Sequence, residues 1–177
     1  MENLRFVYDH SQGKTVRGYE ILTLGLLTPR NFYPVSFGHH FSHTAPAQAP
    51  TAQPRRTRGE VARRLKEARE LTKPALALKM LKAALAQSIS APYLLVDACF
   101  TSPKFCQDVK GLSLHVIGRL KRDRNLYYWQ GTGYTLDRLY RAHKQRLVKD
   151  PTFGLALISA PVTCGNGLQG TIVFAKG

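Results

Sequence analysis

Residues 92–103 read PYLLVDACFTSP, and the fold class turns on them. Tyr93, Leu94, Leu95 and Val96 form a short apolar run between Pro92 and Pro103. A run of that length and composition predicts a strand buried on both faces. Ser102 ahead of Pro103 predicts a helix N-cap with proline at the first helical position. Gly111 stands one short helix later, where a C-cap glycine belongs. The local unit is strand, acid, tight turn, helix, with Asp97 at the strand's C-terminal end. In open α/β sheets, ligands and chemistry collect at that end of the strands. An unpaired carboxylate inside a core is costly, which turns Asp97 towards a site, a metal or a cationic partner. The plainer reading is an acid that caps the next turn, and the spacing leaves both readings open.

Downstream, residues 112–120 (LSLHVIGRL) predict a second strand. Its connection to the first is too long for a hairpin and contains a helix, so the two should be parallel. Lys121, Arg122, Asp123 and Arg124 form a basic turn, followed by a short strand at residues 127–129 and a turn at 131–134. Thr135 is placed to cap a basic helix reaching about Arg146. Residues 155–163 and 168–175 flank Gly165, Asn166 and Gly167, and Asn-Gly between two apolar runs is a strong hairpin signal. Ending on a fresh strand, with no closing helix, suggests a truncated domain.

Upstream, residues 1–43 read as β. The run 16–27 (VRGYEILTLGLL) changes apolar parity midway, from Tyr19 and Ile21 to Leu22, Leu24 and Leu26. That change predicts a bulge or burial on both faces. Residues 28–31 are a turn, and residues 32–41 a second strand whose Pro34 belongs near an edge or end, so the two form an antiparallel hairpin. Residues 44–57 are Pro/Ala/Gln-rich and predict a solvated linker; Arg55, Arg56 and Arg58 make its end basic. Residues 59–88 read as two helices. Val61, Leu65, Ala68 and Leu71 form the first stripe, and Leu76, Met80, Ala83 and Leu85 the second, capped by Thr72 ahead of Pro74.

The chain has 177 residues, 44% of them hydrophobic, with 26 Lys+Arg against 11 Asp+Glu and a formal charge of +15. Such a balance favours a polyanionic partner, nucleic acid before an anionic membrane surface. No apolar run is long enough to span a bilayer and the N-terminus is no signal peptide, which predicts a cytoplasmic protein. Cys99, Cys106 and Cys164 form no CxxC pair, and they are expected as buried, reduced thiols. Phosphate-loop, serine-hydrolase, HExxH and zinc-finger spacings are absent. His39, His40 and His43 cluster, but neighbours on a strand point to opposite faces, so solvated histidines are expected rather than a metal site. Asp9 beside His10 reads as an Asx-turn. Glu20 reads as a salt-bridged or surface acid. The stretch from Arg119 to Trp129 pairs cations for phosphates with aromatic faces for unpaired bases, which points to DNA contact.

Taken together, YDHSQGKTVRGYEILTLG, NFYPVSFGHHFS, YLLVDACFTSPKF, LHVIGRLK, YYWQGTGYTLDRLYRA and GTIVFAKG resemble the DDE transposases of bacterial insertion sequences. The likeness is to the branch with a β-rich insertion in the catalytic core. It implies an α/β fold, a partial RNase H-like mixed sheet with flanking helices and a C-terminal β-rich insertion. The implied layout is a β-hairpin of the core at 1–43, a linker at 44–57, helices and central strands at 58–124 and an incomplete insertion at 125–177. Such proteins bind the terminal inverted repeats of their element. They cut and join DNA with two divalent ions, normally Mg²⁺, held by two Asp and one Glu. The resemblance places the second Asp at Asp97, as catalytic residue and metal ligand. The first Asp would precede the YDHS block and the Glu would follow GTIVFAKG, so both are expected to be missing. This chain alone is then expected neither to bind the metal tightly nor to cleave DNA, and an intact transposase copy is a possible partner. Lys104, Arg119, Lys121, Arg122 and Arg124 are the expected DNA-phosphate contacts. The alternative is a non-enzymatic basic DNA-binding remnant or regulator.

Overall fold

The computed structural model describes residues 5–9, 11–41 and 59–176. The 44–57 linker, His10, His43, Arg55, Arg56 and Arg58 lie outside the described residues. The chain divides into two compact units, one ending at Ala91 and one beginning at Pro92.

In the first unit, β1 (Arg5–Asp9) pairs antiparallel with β2 (Lys14–Gly18). The Asx-turn between them is present. The Asp9 carboxylate accepts from the Ser11 hydroxyl at 2.6 Å, the Ser11 amide at 2.8 Å and the Gln12 amide at 3.3 Å. These bonds, the Ser11 hydroxyl first, hold its pKa below the usual value. Next come β3 (Glu20–Leu27) and β4 (Phe32–His40), the expected antiparallel hairpin. The parity change in the sequence is a real irregularity: the register shifts between Leu24 and Gly25. Gly25 is needed there because the Phe32 ring occupies the space a Cβ would take. The expected continuous strand over 16–27 is instead two strands in different sheets. β2 ends at Gly18, opposite Arg5, and pairing with β4 begins at Glu20.

Two helices follow, α1 (Glu60–Glu70) and α2 (Lys73–Ala86). Thr72 caps α2 as expected, its hydroxyl accepting from the Ala75 amide at 3.4 Å. The Phe41 amide donates to the Ala68 carbonyl at 2.9 Å and fastens the end of β4 to α1. The buried positions of α2 are Leu76, Met80, Leu81 and Ala84, and Ala83 is exposed. Leu76, Met80 and Ala84, four apart, hold the centre of the stripe, while a residue seven from Leu76 drifts to its margin. Gly38 of β4 admits the Leu76 side chain, 3.1 Å from where a Cβ would stand.

His39 and His40 do point to opposite faces, but His40 is no solvated residue. It is 6% exposed, and its Nδ1 lies 2.8 Å from Glu20 Oε2, its cross-strand partner. Lys73 binds the other Glu20 oxygen.

In the second unit, β5 (Tyr93–Val96) and β6 (His115–Gly118) pair in parallel, joined through α3 (Pro103–Lys110). Ser102 caps α3 through the Phe105 amide at 3.3 Å, with Pro103 at its first position and Gly111 at its C-cap. The βαβ reading of the sequence holds. Its burial does not: Tyr93, Leu95 and Ile117 are 54%, 57% and 53% exposed. Among the described residues β5 and β6 pair only with each other, so this face of the ribbon lacks a cover. β6 is also shorter than expected, because the chain turns through Ser113 at φ 62° before it begins.

β7 (Tyr127–Trp129) and β8 (Thr132–Tyr134) follow, the second a strand where a turn was expected. Gln130 and Gly131 both have positive φ, 48° and 80°, as a two-residue primed turn requires. α4 (Leu136–His143) stops before Arg146, tightening into a 3-10 turn, and Thr135 makes no side-chain cap bond. β9 (Val148–Lys149), β10 (Ala156–Cys164) and β11 (Leu168–Lys176) complete the unit, with the expected hairpin between β10 and β11. The antiparallel order is β11-β10-β7-β8, with β9 also on β10. Tyr127, Leu136, Leu139, Ala160, Val162 and Ile172 form its core. The protein is thus mixed α/β, with antiparallel sheets and one parallel pair. No helix among the described residues is long and apolar enough to cross a membrane.

Candidate nucleic-acid interface

Asp97 follows β5 directly and starts the 3-10 turn at Ala98–Phe100. Its carbonyl accepts from the Phe100 amide at 3.0 Å, but its side chain makes no cap bond and is exposed. Neither a buried charge nor a side-chain cap describes it. It is a solvent-facing carboxylate at the C-terminal end of a strand.

The basic turn is fixed by sterics and backbone bonds. A Cβ at Gly118 would stand 2.6 Å from Thr101 Cγ2, 2.7 Å from Val96 Cγ2 and 3.0 Å from the Val96 carbonyl oxygen. Only glycine fits where β6 passes the turn after β5. The Thr101 hydroxyl lies 3.0 Å from the Arg119 carbonyl and 3.1 Å from that of Ala98, and shares its one proton between them. Further on, Asp123 receives the Asn125 amide at 3.0 Å and the Asn125 Nδ2 at 2.6 Å. The turn's own acid is therefore occupied in folding it. Arg119, Lys121, Arg122 and Arg124 are exposed, and none makes a salt bridge with a described residue.

The three arginines border an open cleft of about 2340 Å³ within the second unit. Arg119, Arg122 and Arg124 line it, joined by Lys110 and Lys176, and Asp137 is the one acid on its wall. Lys121 and Lys104 do not line it, and Lys104 is already 3.5 Å from Asp108. Asp97 is not on its wall either. Sequence reasoning missed Lys110 and Lys176. Their distance along the chain from the basic turn hid them, and only the return of β11 brings Lys176 to this cleft.

Cys106 and Cys164 also line the cleft. Both are free and half-buried rather than buried as expected, and burial pushes both thiols up. Cys99 departs further from expectation: it is exposed. His143, 3% exposed, donates from Nδ1 to the Leu139 carbonyl at 2.9 Å and packs edge-on to Trp129, the ring centroids 4.2 Å apart. The side chain is thereby part of the core.

Whether these residues suit a pair of divalent ions follows from their carboxylates. Asp9, Asp123 and Asp150 each fold their own turn. Glu20, Glu60, Glu67, Glu70 and Asp108 each face a cation. That leaves Asp97 and, in the first turn of α4, Asp137. Magnesium keeps several waters but still calls for carboxylates or substrate phosphates around it. No group of three His, Cys, Asp or Glu among the described residues could hold a metal. The residues described do not fit a two-metal centre.

A family model described as DDE superfamily endonuclease matches residues 4–151. Comparison with curated proteins and with solved structures gives no match. The match takes in both β-hairpins of the first unit, both long helices, the Asp97 strand and the basic turn, and the chain belongs to the DDE superfamily endonucleases.

Proposed function

We propose that the chain is part of the catalytic core of a DNA transposase, built on an RNase H-like sheet. In this reading residues 1–43 and 58–124 belong to that core, 44–57 link them and 125–177 belong to a β-rich insertion. The observation that carries it is Asp97: an exposed carboxylate with no side-chain cap bond and no ion pair among the described residues, at the C-terminal end of one strand of a parallel pair, in a DDE family chain. Its role is that of the second acid of the triad. The other two acids of the triad are supplied by a second polypeptide, such as an intact transposase copy. DNA is the partner, with the terminal inverted repeats of an insertion element as the specific site.

A second reading, a non-enzymatic DNA-binding role, is favoured by the carboxylate accounting for this chain on its own. One experiment separates the two. The purified chain is titrated with terminal-repeat and hairpin DNA over a range of salt, and the same mixtures with Mg²⁺ are run for nicks. The expected result is binding that weakens linearly on a log–log salt plot, without cleavage. Absence of binding at low salt overturns the DNA reading. Magnesium-dependent nicking, lost on Asp97→Ala, overturns the claim that the chain does not cut alone.

A further inference from the structure

The cleft of the second unit contains an aromatic surface that charge alone does not explain. In β7, Tyr127 and Trp129 turn into the core, and Tyr128 turns out. Trp129 is already engaged, by His143 at 4.2 Å and by the Arg146 guanidinium 5.9 Å from its ring. Tyr128 is 46% exposed and lines the cleft. Its cross-strand partner is Gly133, and a Cβ there would lie 3.3 Å from Tyr128 Cε1 and 3.6 Å from Cδ1. The ring therefore lies across the bare backbone of β8, supported from below before any ligand arrives. Arg119, Arg122 and Arg124 border the same cleft without salt-bridge partners among the described residues.

We propose that this cleft takes a single nucleic-acid strand, with an unpaired base stacked on Tyr128 and the flanking phosphates on Arg119, Arg122 and Arg124. Three physical points carry this. A base offers its π-face only when it is out of a duplex stack, and a supported, solvent-facing ring is what such a base binds. Cations without competing carboxylates are what phosphates bind. A volume of about 2340 Å³ exceeds the ~300–1,000 Å³ of small-molecule pockets and suits an extended polymer segment. The inference rests on the DNA-binding reading above and sharpens it to a strand state and a residue.

The test uses the full chain and three probes of equal length: an oligothymidylate, an abasic oligonucleotide and a duplex. Tyr128→Ala is expected to weaken the oligothymidylate roughly 5- to 100-fold and to change the abasic strand less than about twofold. Tyr128→Phe, which keeps the ring, is expected to bind as the parent does. A 2-aminopurine in the strand is expected to be quenched by the parent and by Tyr128→Phe, but not by Tyr128→Ala. Arg122→Ala is expected to weaken both single strands and to lower the salt slope by about 0.7. Equal oligothymidylate affinity for the parent and Tyr128→Ala, or equal affinity of the parent for abasic and base-bearing strands, overturns the inference. If duplex binding persists in either case, only the inference fails. If no probe binds at low salt, the DNA reading fails with it.

Discussion

The two units place their charges differently. In the first, the glutamates are each met by a partner: Glu20 holds both His40 and Lys73, Glu60 holds Arg63 and Arg64, and Glu67 holds Lys79. The exposed Glu60 carboxyl is drawn down to about 2, by Arg63 first and then Arg64. In the second unit the described salt bridge is Lys104 with Asp108, and the basic turn has none with a described residue. That turn is held by a glycine contact and by a threonine bonded to backbone. The glutamates of the first unit serve its fold; the cations of the basic turn in the second are left for a ligand. A +15 total says only that a polyanion is attractive. The pairing says which surface is available to it.

The contrast breaks most visibly at Gly118. Gly118→Ala forces a Cβ against Thr101 and Val96 and is expected to cost about 3 kcal/mol, read by urea denaturation. It should also lower DNA affinity, because Arg119 follows directly. A cost under about 1 kcal/mol would mean that the turn is not seated there.

Glu20→Gln is next, at about 2 kcal/mol, because a part-buried carboxylate bonded to both Lys73 and His40 loses its charge. Burial pushes the Glu20 carboxyl up, but the bonds from Lys73 and His40 outweigh it and leave the pKa below 4.5. The sign follows. The stabilisation is complete above about 4.5 and disappears as pH falls through the lower folded value. Denaturation midpoints of the parent should therefore fall in that acid window more steeply than those of Glu20→Gln. Parallel curves would remove Glu20 from the account. Thr101→Val is a smaller change, about 1 kcal/mol, since one shared hydrogen bond is lost and the shape is kept. Unlike Glu20→Gln, its cost should not vary with pH between 3 and 7.

Local signals were legible in the sequence wherever one residue type solves one backbone problem. Ser102-Pro103, Thr72, Asp9 and Gly165-Asn166-Gly167 each mark a cap or turn that the structure contains. The parity change after Ile21 gave the irregularity at Leu24/Gly25, and the helix between two apolar runs gave the parallel pair. What failed depends on neighbours far along the chain. An apolar run such as residues 93–96 cannot say whether a further strand will cover it. Nor can His40 announce burial, which comes from Glu20 lying opposite and from helices that start twenty residues later. The site was half legible for the same reason. Arg119, Arg122 and Arg124 are adjacent in sequence, whereas Lys110, Lys176 and the seat of Tyr128 on Gly133 emerge only from strand pairing.

The smallest expected effect separates Asp97 from the acids of the first unit. Its carboxylate makes no cap bond and faces solvent, and the turn that follows is closed by its backbone carbonyl, which a substitution keeps. Asp97→Asn should therefore shift stability by less than about 0.5 kcal/mol, the range of surface changes that touch no partner. Glu20→Gln, the same chemical change, should cost several times more. An acid that contributes nothing to the fold but stands at a strand's C-terminal end is placed for a ligand. If Asp97→Asn instead costs more than about 1 kcal/mol, the charge of the carboxylate serves the fold in solution. The contrast between structural acids and an available one then disappears, and with it the observation on which the transposase role of Asp97 stands.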